Sequence, residues 1–141
     1  MKKLAVLISD AGIGTNLQAI IDAVENKKLR AKIVLVASSS ENAYGLQRAK
    51  KSNIPTQIVN EKDNLEKILK DHQIDLVVLA GWKLIIPQPL INTFKNKILN
   101  LHPGFIPDTM NGTVINPDKT VGLWNRGKLT DVAIQNFLDK K

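Results

Sequence analysis

Asn100 and His102 stand two residues apart in the run Asn100-Leu101-His102-Pro103. Side chains at i and i+2 of a strand project to one face, so a strand ending here sets the carboxamide beside the imidazole and turns Leu101 away. Pro103 then ends the strand. A carboxamide that donates to an oxyanion, next to an imidazole that transfers protons, suits acyl transfer through a tetrahedral intermediate. The same pair also reads as plain strand-end structure, and spacing alone leaves both readings open. A second candidate is Ser9-Asp10-Ala11-Gly12-Ile13-Gly14-Thr15-Asn16. Its glycines let the backbone approach a ligand closely, and the free amides of a helix start attract an anion, best a single phosphate monoester. A dinucleotide fingerprint needs glycine where Leu17 stands and a P-loop needs Gly-Lys-Ser/Thr, so neither motif is met. The alternative is a tight turn in which Thr15 or Asn16 caps the helix. The third stretch, Gly81-Trp82-Lys83-Leu84-Ile85-Ile86-Pro87, suits the wall of a pocket for a flat aromatic ligand, or equally residues packed under the next helix.

These three stretches follow apolar runs that read as strands: Leu4 to Ile8, Ile33 to Ala37, Thr56 to Val59, Leu76 to Ala80 and Ile98 to Leu101. The runs are continuous rather than alternating, as in a parallel sheet covered on both faces. Helical stripes fill the gaps: Leu17, Ile20, Ile21 and Val24, then a weaker Ala43, Leu46 and Ala49, then Leu65, Ile68 and Leu69. A fourth helix starts at Pro87, whose missing amide hydrogen costs nothing in a first turn, and buries Leu90, Ile91 and Phe94. His72, seven residues after Leu65 on the same stripe, reads as a helix-end packing residue. Strands alternating with helices give βαβ units with right-handed crossovers. The expectation is an α/β fold, a Rossmann-like open parallel sheet of about five strands with helices on both faces. Ligands of such sheets sit beyond the carboxyl ends of the strands, where all three candidates lie. Residues 103–128, rich in glycine and proline, read as one long loop, and periodicity returns at Thr130.

A chain of 141 residues is the size of one domain. With 17 Leu, 16 Ile and 10 Val against 23% charged residues, a core is available and intrinsic disorder is excluded. Cysteine is absent, which excludes disulfides and thiolate zinc sites and fits a cytoplasmic protein. The apolar run after Lys2 and Lys3 stops at Asp10, too short for a signal core or a membrane span. The net charge of +7 is spread along the chain, and aromatics are only 4%, so stacking platforms for nucleic acid are missing. The lysines read as solvated helix faces with a mild attraction for anionic small molecules. Neither nucleic acid nor a membrane is expected as a partner.

Four segments in register then point to a family. Ile8-Ser9 through Gly14-Thr15-Asn16-Leu17-Gln18-Ala19-Ile20-Ile21, Ala43-Tyr44-Gly45-Leu46-Gln47-Arg48-Ala49, Asp75-Leu76-Val77-Val78-Leu79-Ala80-Gly81-Trp82 and Asn100-Leu101-His102-Pro103 together resemble phosphoribosylglycinamide formyltransferases, the folate-dependent enzymes of purine synthesis. The match in order and spacing runs from the start of the chain to near Pro107. Methionyl-tRNA formyltransferases share an Asn-x-His element, but the Gly14 to Ile21 opening favours the ribonucleotide enzymes.

The resemblance implies that Gly14, Thr15 and Asn16 hold the phosphate of glycinamide ribonucleotide. It implies that Lys83, Leu84, Ile85 and Ile86, with Asn100 and Lys62, contact the folate of 10-formyltetrahydrofolate, and that Asn100 and His102 are catalytic. No metal is implied. Family members commonly carry an arginine at or beside the position of Leu84. The family chain also continues past the helix matching residues 130–138 into further strands and a helix, one of whose loops supplies an aspartate that orients the catalytic histidine. The 141-residue form is therefore expected to be a single formyltransferase-like domain, truncated before those elements, with low or absent activity. The resemblance implies transfer of a formyl group from 10-formyltetrahydrofolate to the amine of glycinamide ribonucleotide; the alternatives are a phosphate-binding module without catalysis and a fragment of a longer formyltransferase. Truncation would leave the fifth strand an unpaired apolar edge that invites association with a second copy.

Overall fold

The computed structural model describes residues 1–100, 113–115, 119 and 121–123. By its contacts the chain divides into two compact units, Met1–Leu101 and His102–Lys141. The first unit runs β1 (Lys2–Ile8), α1 (Thr15–Glu25), β2 (Ala31–Ser38), α2 (Gly45–Lys51), β3 (Thr56–Ile58), α3 (Leu65–Asp71), β4 (Leu76–Leu79), α4 (Gln88–Thr93) and β5 (Ile98–Asn100). Its strands form one parallel sheet in the order β3-β2-β1-β4-β5. All five expected strands are present, their ends displaced by at most two residues, with Leu101 outside the described residues.

The sheet is covered on both faces, which is why its strands read as continuous apolar runs. Leu4, Val6 and Ile8 of β1 point to one face and pack with Leu17 and Ile21 of α1 and Leu46 and Ala49 of α2. Ala5 and Leu7 point to the other, against Leu65 and Leu69 of α3 and Leu90 of α4. Leu7, Leu17, Leu69 and Leu90 are all fully buried, and each contributes ~1.5–3 kcal/mol by leaving water. Asn64 caps α3 by accepting the Lys67 amide at 3.0 Å. His72 ends that helix with Nδ1 2.8 Å from the Ile68 carbonyl, the helix-end role its position suggested. Pro87 lies one place earlier than expected, as the extended residue before α4 rather than inside its first turn. Among the described residues no helix is long and apolar enough to cross a membrane.

In the second unit, β6 (Thr113–Ile115) and β7 (Val121–Leu123) pair antiparallel, with Val114 opposite Gly122. The stretch 103–128 reads as one long loop in the sequence but contains this short antiparallel pair. Gly122 interrupts the apolar residues of β7, and Gly112 and Pro117 flank β6, so the surroundings carry the residue signature of a loop. The expected helix from Thr130 lies outside the described residues.

At the amino ends of β1 and β4, Lys3 and Asp75 exchange two bonds. The Lys3 amide donates to Asp75 Oδ2 and the Asp75 amide to the Lys3 carbonyl, each at 2.8 Å. The first bond, helped by the charges of Lys2, Lys3 and Lys97 and opposed by desolvation, holds the Asp75 carboxyl below its ordinary 3.8. A carboxyl lowered by folding stabilises the native state above that ordinary value and loses the contribution as pH falls through the lowered one. Urea unfolding from about pH 6 down to about pH 2 should therefore show a shallower acid loss of stability in Asp75→Asn than in the parent.

Candidate active site

The carboxyl ends of β1 and β4 are neighbours, since Leu7 pairs with Leu79, yet the chain leaves them in different directions. This is the reversal point of a doubly wound sheet, where a crevice opens.

The loop after β1 ends at Gly14, which precedes α1 with φ 75, a left-handed conformation that suits glycine. No side chain caps this helix. The alternative in which Thr15 or Asn16 caps it is thus not adopted, because α1 begins at Thr15 itself. Among the described residues the first α1 amide with a carbonyl partner is that of Gln18, on Gly14 at 3.0 Å. The amides of Thr15, Asn16 and Leu17 are left for an anion, and the side chains of Thr15 and Asn16 are exposed.

Three contacts fix this loop. A Cβ on Gly14 would lie 2.9 Å from the Gly45 Cα, and one on Gly45 would lie 2.7 Å from Ile8 Cδ1, so the starts of α1 and α2 meet at two glycines. Arg48 of α2 donates through Nε to the Ile13 carbonyl at 2.8 Å and through Nη1 to Gln18 Oε1 at 3.2 Å. Its guanidinium lies 5.1 Å from the centroid of the Tyr44 ring. The buried Ser9 hydroxyl donates to the Gly81 carbonyl and accepts from the Ala11 amide at 3.2 Å.

Across the crevice the β4 loop turns at Gly81, φ 89, and lines a cavity of about 490 Å³ with Trp82, Leu84 and Ile85. The facing wall is the loop after β3, including Val59, Asn60 and Lys62. That loop is shaped by its own side chains: Asp63 accepts the Asn60 amide at 2.8 Å and Asn60 the Lys62 amide at 2.9 Å. Trp82 satisfies both earlier readings, since it lines the cavity and packs on the α3 and α4 layer. Its Nε1 is buried with no acceptor among the described residues. Ile85 is 92% exposed, an apolar rim at the cavity mouth.

The expected folate residues therefore separate. Lys62, Leu84 and Ile85 meet at this cavity. Ile86 lines a second hollow with Ile91, Phe94 and Ile98. Lys83 lines neither cavity and instead places Nζ 2.5 Å from Asp10 Oδ1, whose carboxyl that hydrogen bond and charge hold below its ordinary value. Asn100 is exposed at the end of β5, opposite Leu79 in the register. His102 lies outside the described residues. Asp10, Ser9 and Arg48 had drawn no role from the sequence. Only the proximity of Asp10 and Ser9 to a strand end signalled them, and their long-range partners lie 30 to 73 residues away.

Comparison with known proteins agrees with this architecture. The family model described as formyl transferase matches residues 2–115. The chain belongs to the formyl transferase family. A phosphoribosylglycinamide formyltransferase of Haemophilus influenzae is 45% identical over 116 residues, covering 76% of this formyl transferase chain and 54% of the relative. The trifunctional purine biosynthetic protein adenosine-3 of Gallus gallus is 35% identical over 114 residues, which are 11% of its length. The solved glycinamide ribonucleotide transformylase 1 of Symbiobacterium toebii superposes with a TM-score of 0.70 at 33% identity, covering 79% of this chain and 56% of that one. The chain thus spans little more than half the length of the phosphoribosylglycinamide formyltransferases it matches.

Gly14→Ala in this formyl transferase chain meets both left-handed strain and the Gly45 backbone, whereas Gly12, φ 79, has open space around it. Denaturant unfolding should show Gly14→Ala destabilised by roughly 1–3 kcal/mol beyond Gly12→Ala, the cost of overpacking added to a shared backbone strain.

Proposed function

We propose that this chain serves formyl transfer from 10-formyltetrahydrofolate to the amine of glycinamide ribonucleotide, in purine biosynthesis. The observation that carries the reading is the juxtaposition of two half-sites at one crevice: a helix start with unpaired amides at Thr15 to Leu17, and an apolar cavity walled by Trp82, Leu84 and Ile85. The first suits a phosphate monoester, the second a flat heterocycle. The Haemophilus influenzae relative, a phosphoribosylglycinamide formyltransferase by name, supplies the substrate class.

In this reading the Gly14 to Asn16 segment holds the ribonucleotide phosphate, and Lys62, Leu84 and Ile85, which share the larger cavity, take the folate, while Ile86 stands apart in the second hollow. The substrate amine attacks the formyl carbon and forms the new C–N bond, while the carbonyl electrons move onto oxygen. The Asn100 carboxamide donates to that oxyanion, and His102 takes the proton lost by the amine. Collapse re-forms the carbonyl, breaks the bond to the folate nitrogen and returns the proton to that leaving group. The folding of residues 1–100 supports the Asn100 part through β5, whose register with β4 sets Asn100 beside Leu79, two residues ahead of Gly81. The His102 part rests on the Asn-x-His spacing.

Calorimetric titration with glycinamide ribonucleotide tests the reading. Saturable binding is expected, weakened roughly tenfold or more in Asn16→Ala if a hydrogen bond to a charged phosphate is lost. Folded protein that gives no binding heat would overturn the reading.

A further inference from the structure

The loops leaving β1 and β4 are stitched together at two points. Next to the sheet the contact is buried, between the Ser9 hydroxyl and the Gly81 carbonyl. Farther out the contact is the ion pair of Lys83 with Asp10 at 2.5 Å, whose side chains are 56% and 48% exposed. The resemblance had assigned Lys83 to the folate. Its neighbours Trp82 and Leu84 do line the cavity, but Lys83 does not, and its ammonium is engaged on the opposite side of the crevice. Among the described residues this is the one ion pair that joins the two loops. Asp10 stands four residues ahead of Gly14, on the loop that ends in the free amides of α1. An uncompensated carboxylate there opposes the approach of an anion.

We propose that Lys83 is a positioning residue of the anion half-site: through Asp10 it holds the β1 loop against the cavity wall and cancels the loop's negative charge. For its ligand the inference rests on the formyl-transfer reading above. Its effect belongs to the ribonucleotide rather than to the folate, and it vanishes when Asp10 is absent.

The test combines two measurements on the full chain, for the parent, K83A, D10A, the double variant and K83R. In calorimetry with glycinamide ribonucleotide, K83A is expected to weaken binding roughly two- to fivefold, the range of an exposed ion pair. K83R should restore it, and K83A should change nothing further in the D10A background. The affinity for 5-formyltetrahydrofolate, used as a stable reduced-folate probe, should stay unchanged in K83A. A loss confined to the folate probe, or effects of K83A that persist undiminished without Asp10, would show direct ligand contact by Lys83 and overturn the proposal. In the ligand-free protein, the NMR amide resonances of Gly12 and Gly14 should shift in both K83A and D10A and return in K83R. Resonances that stay in place would sink the proposal even if the ribonucleotide binds. If the parent binds no ribonucleotide, the formyl-transfer reading fails and the amide shifts alone decide the role of Lys83.

Discussion

Strand β1 is hydrogen-bonded on both sides and buried on both faces, and the other described elements of the first unit are arranged by that fact. From β1 the chain steps outward to β2 and β3, then returns across the sheet to β4 and β5. Right-handed crossovers made in opposite directions must put their helices on opposite faces. That places α1 and α2 in one layer and α3 and α4 in the other, with alternate residues of β1 serving each. The crevice between β1 and β4 is the geometric remainder of this winding, a place where neighbouring strands send their loops apart. No residue has to be spent on opening it.

What the local sequence adds is control over how those loops diverge. Two glycines bring the first turns of α1 and α2 into contact, Arg48 holds the Ile13 carbonyl, and the Ser9 hydroxyl draws in Gly81. These groups leave the first α1 amides without carbonyl partners, a local cost that an anion or water removes. On the other wall the lining is aliphatic and aromatic, with polar groups gathered on the β3 loop. The loops after β1 and β4, joined by the Ser9 hydrogen bond and the Lys83 ion pair, thus lead to two chemistries, free amides at the start of α1 and an apolar cavity walled by Trp82, Leu84 and Ile85.

Much of this plan was legible in the residues, for physical reasons. Strands covered on both faces must be continuously apolar, and helices covering a sheet must carry a stripe, so β1 to β5 and α1 to α4 all announced themselves. The glycine-rich turn before α1 and the Asn100 strand end were readable because backbone approach and period-two spacing are local properties. The β6–β7 hairpin was not, since Gly112, Pro117 and Gly122 give that stretch the residue signature of a loop. Nor was the state of Lys83. Its sequence neighbours advertise a cavity wall, while its partner Asp10 is 73 residues away and becomes adjacent only through the strand order. Long-range pairing of exposed charges leaves no local trace, so the resemblance, which groups Lys83 with its cavity-lining neighbours, carries no sign of its pairing with Asp10.

The meeting of Gly14 with Gly45 has a consequence for how such a chain can vary. A side chain at Gly14 would run into the Gly45 backbone of α2, and one at Gly45 into Ile8 of β1 and Leu17 of α1, so both positions are tied to the close approach of the two helix starts. Ala11 and Ile13, on the same loop, are exposed and anchored only through backbone atoms. Their side chains are open to exchange with no repacking of the sheet. Ligand preference at the crevice can therefore be retuned from the loop's crown while its two feet stay fixed, which separates the evolution of affinity from the upkeep of the fold.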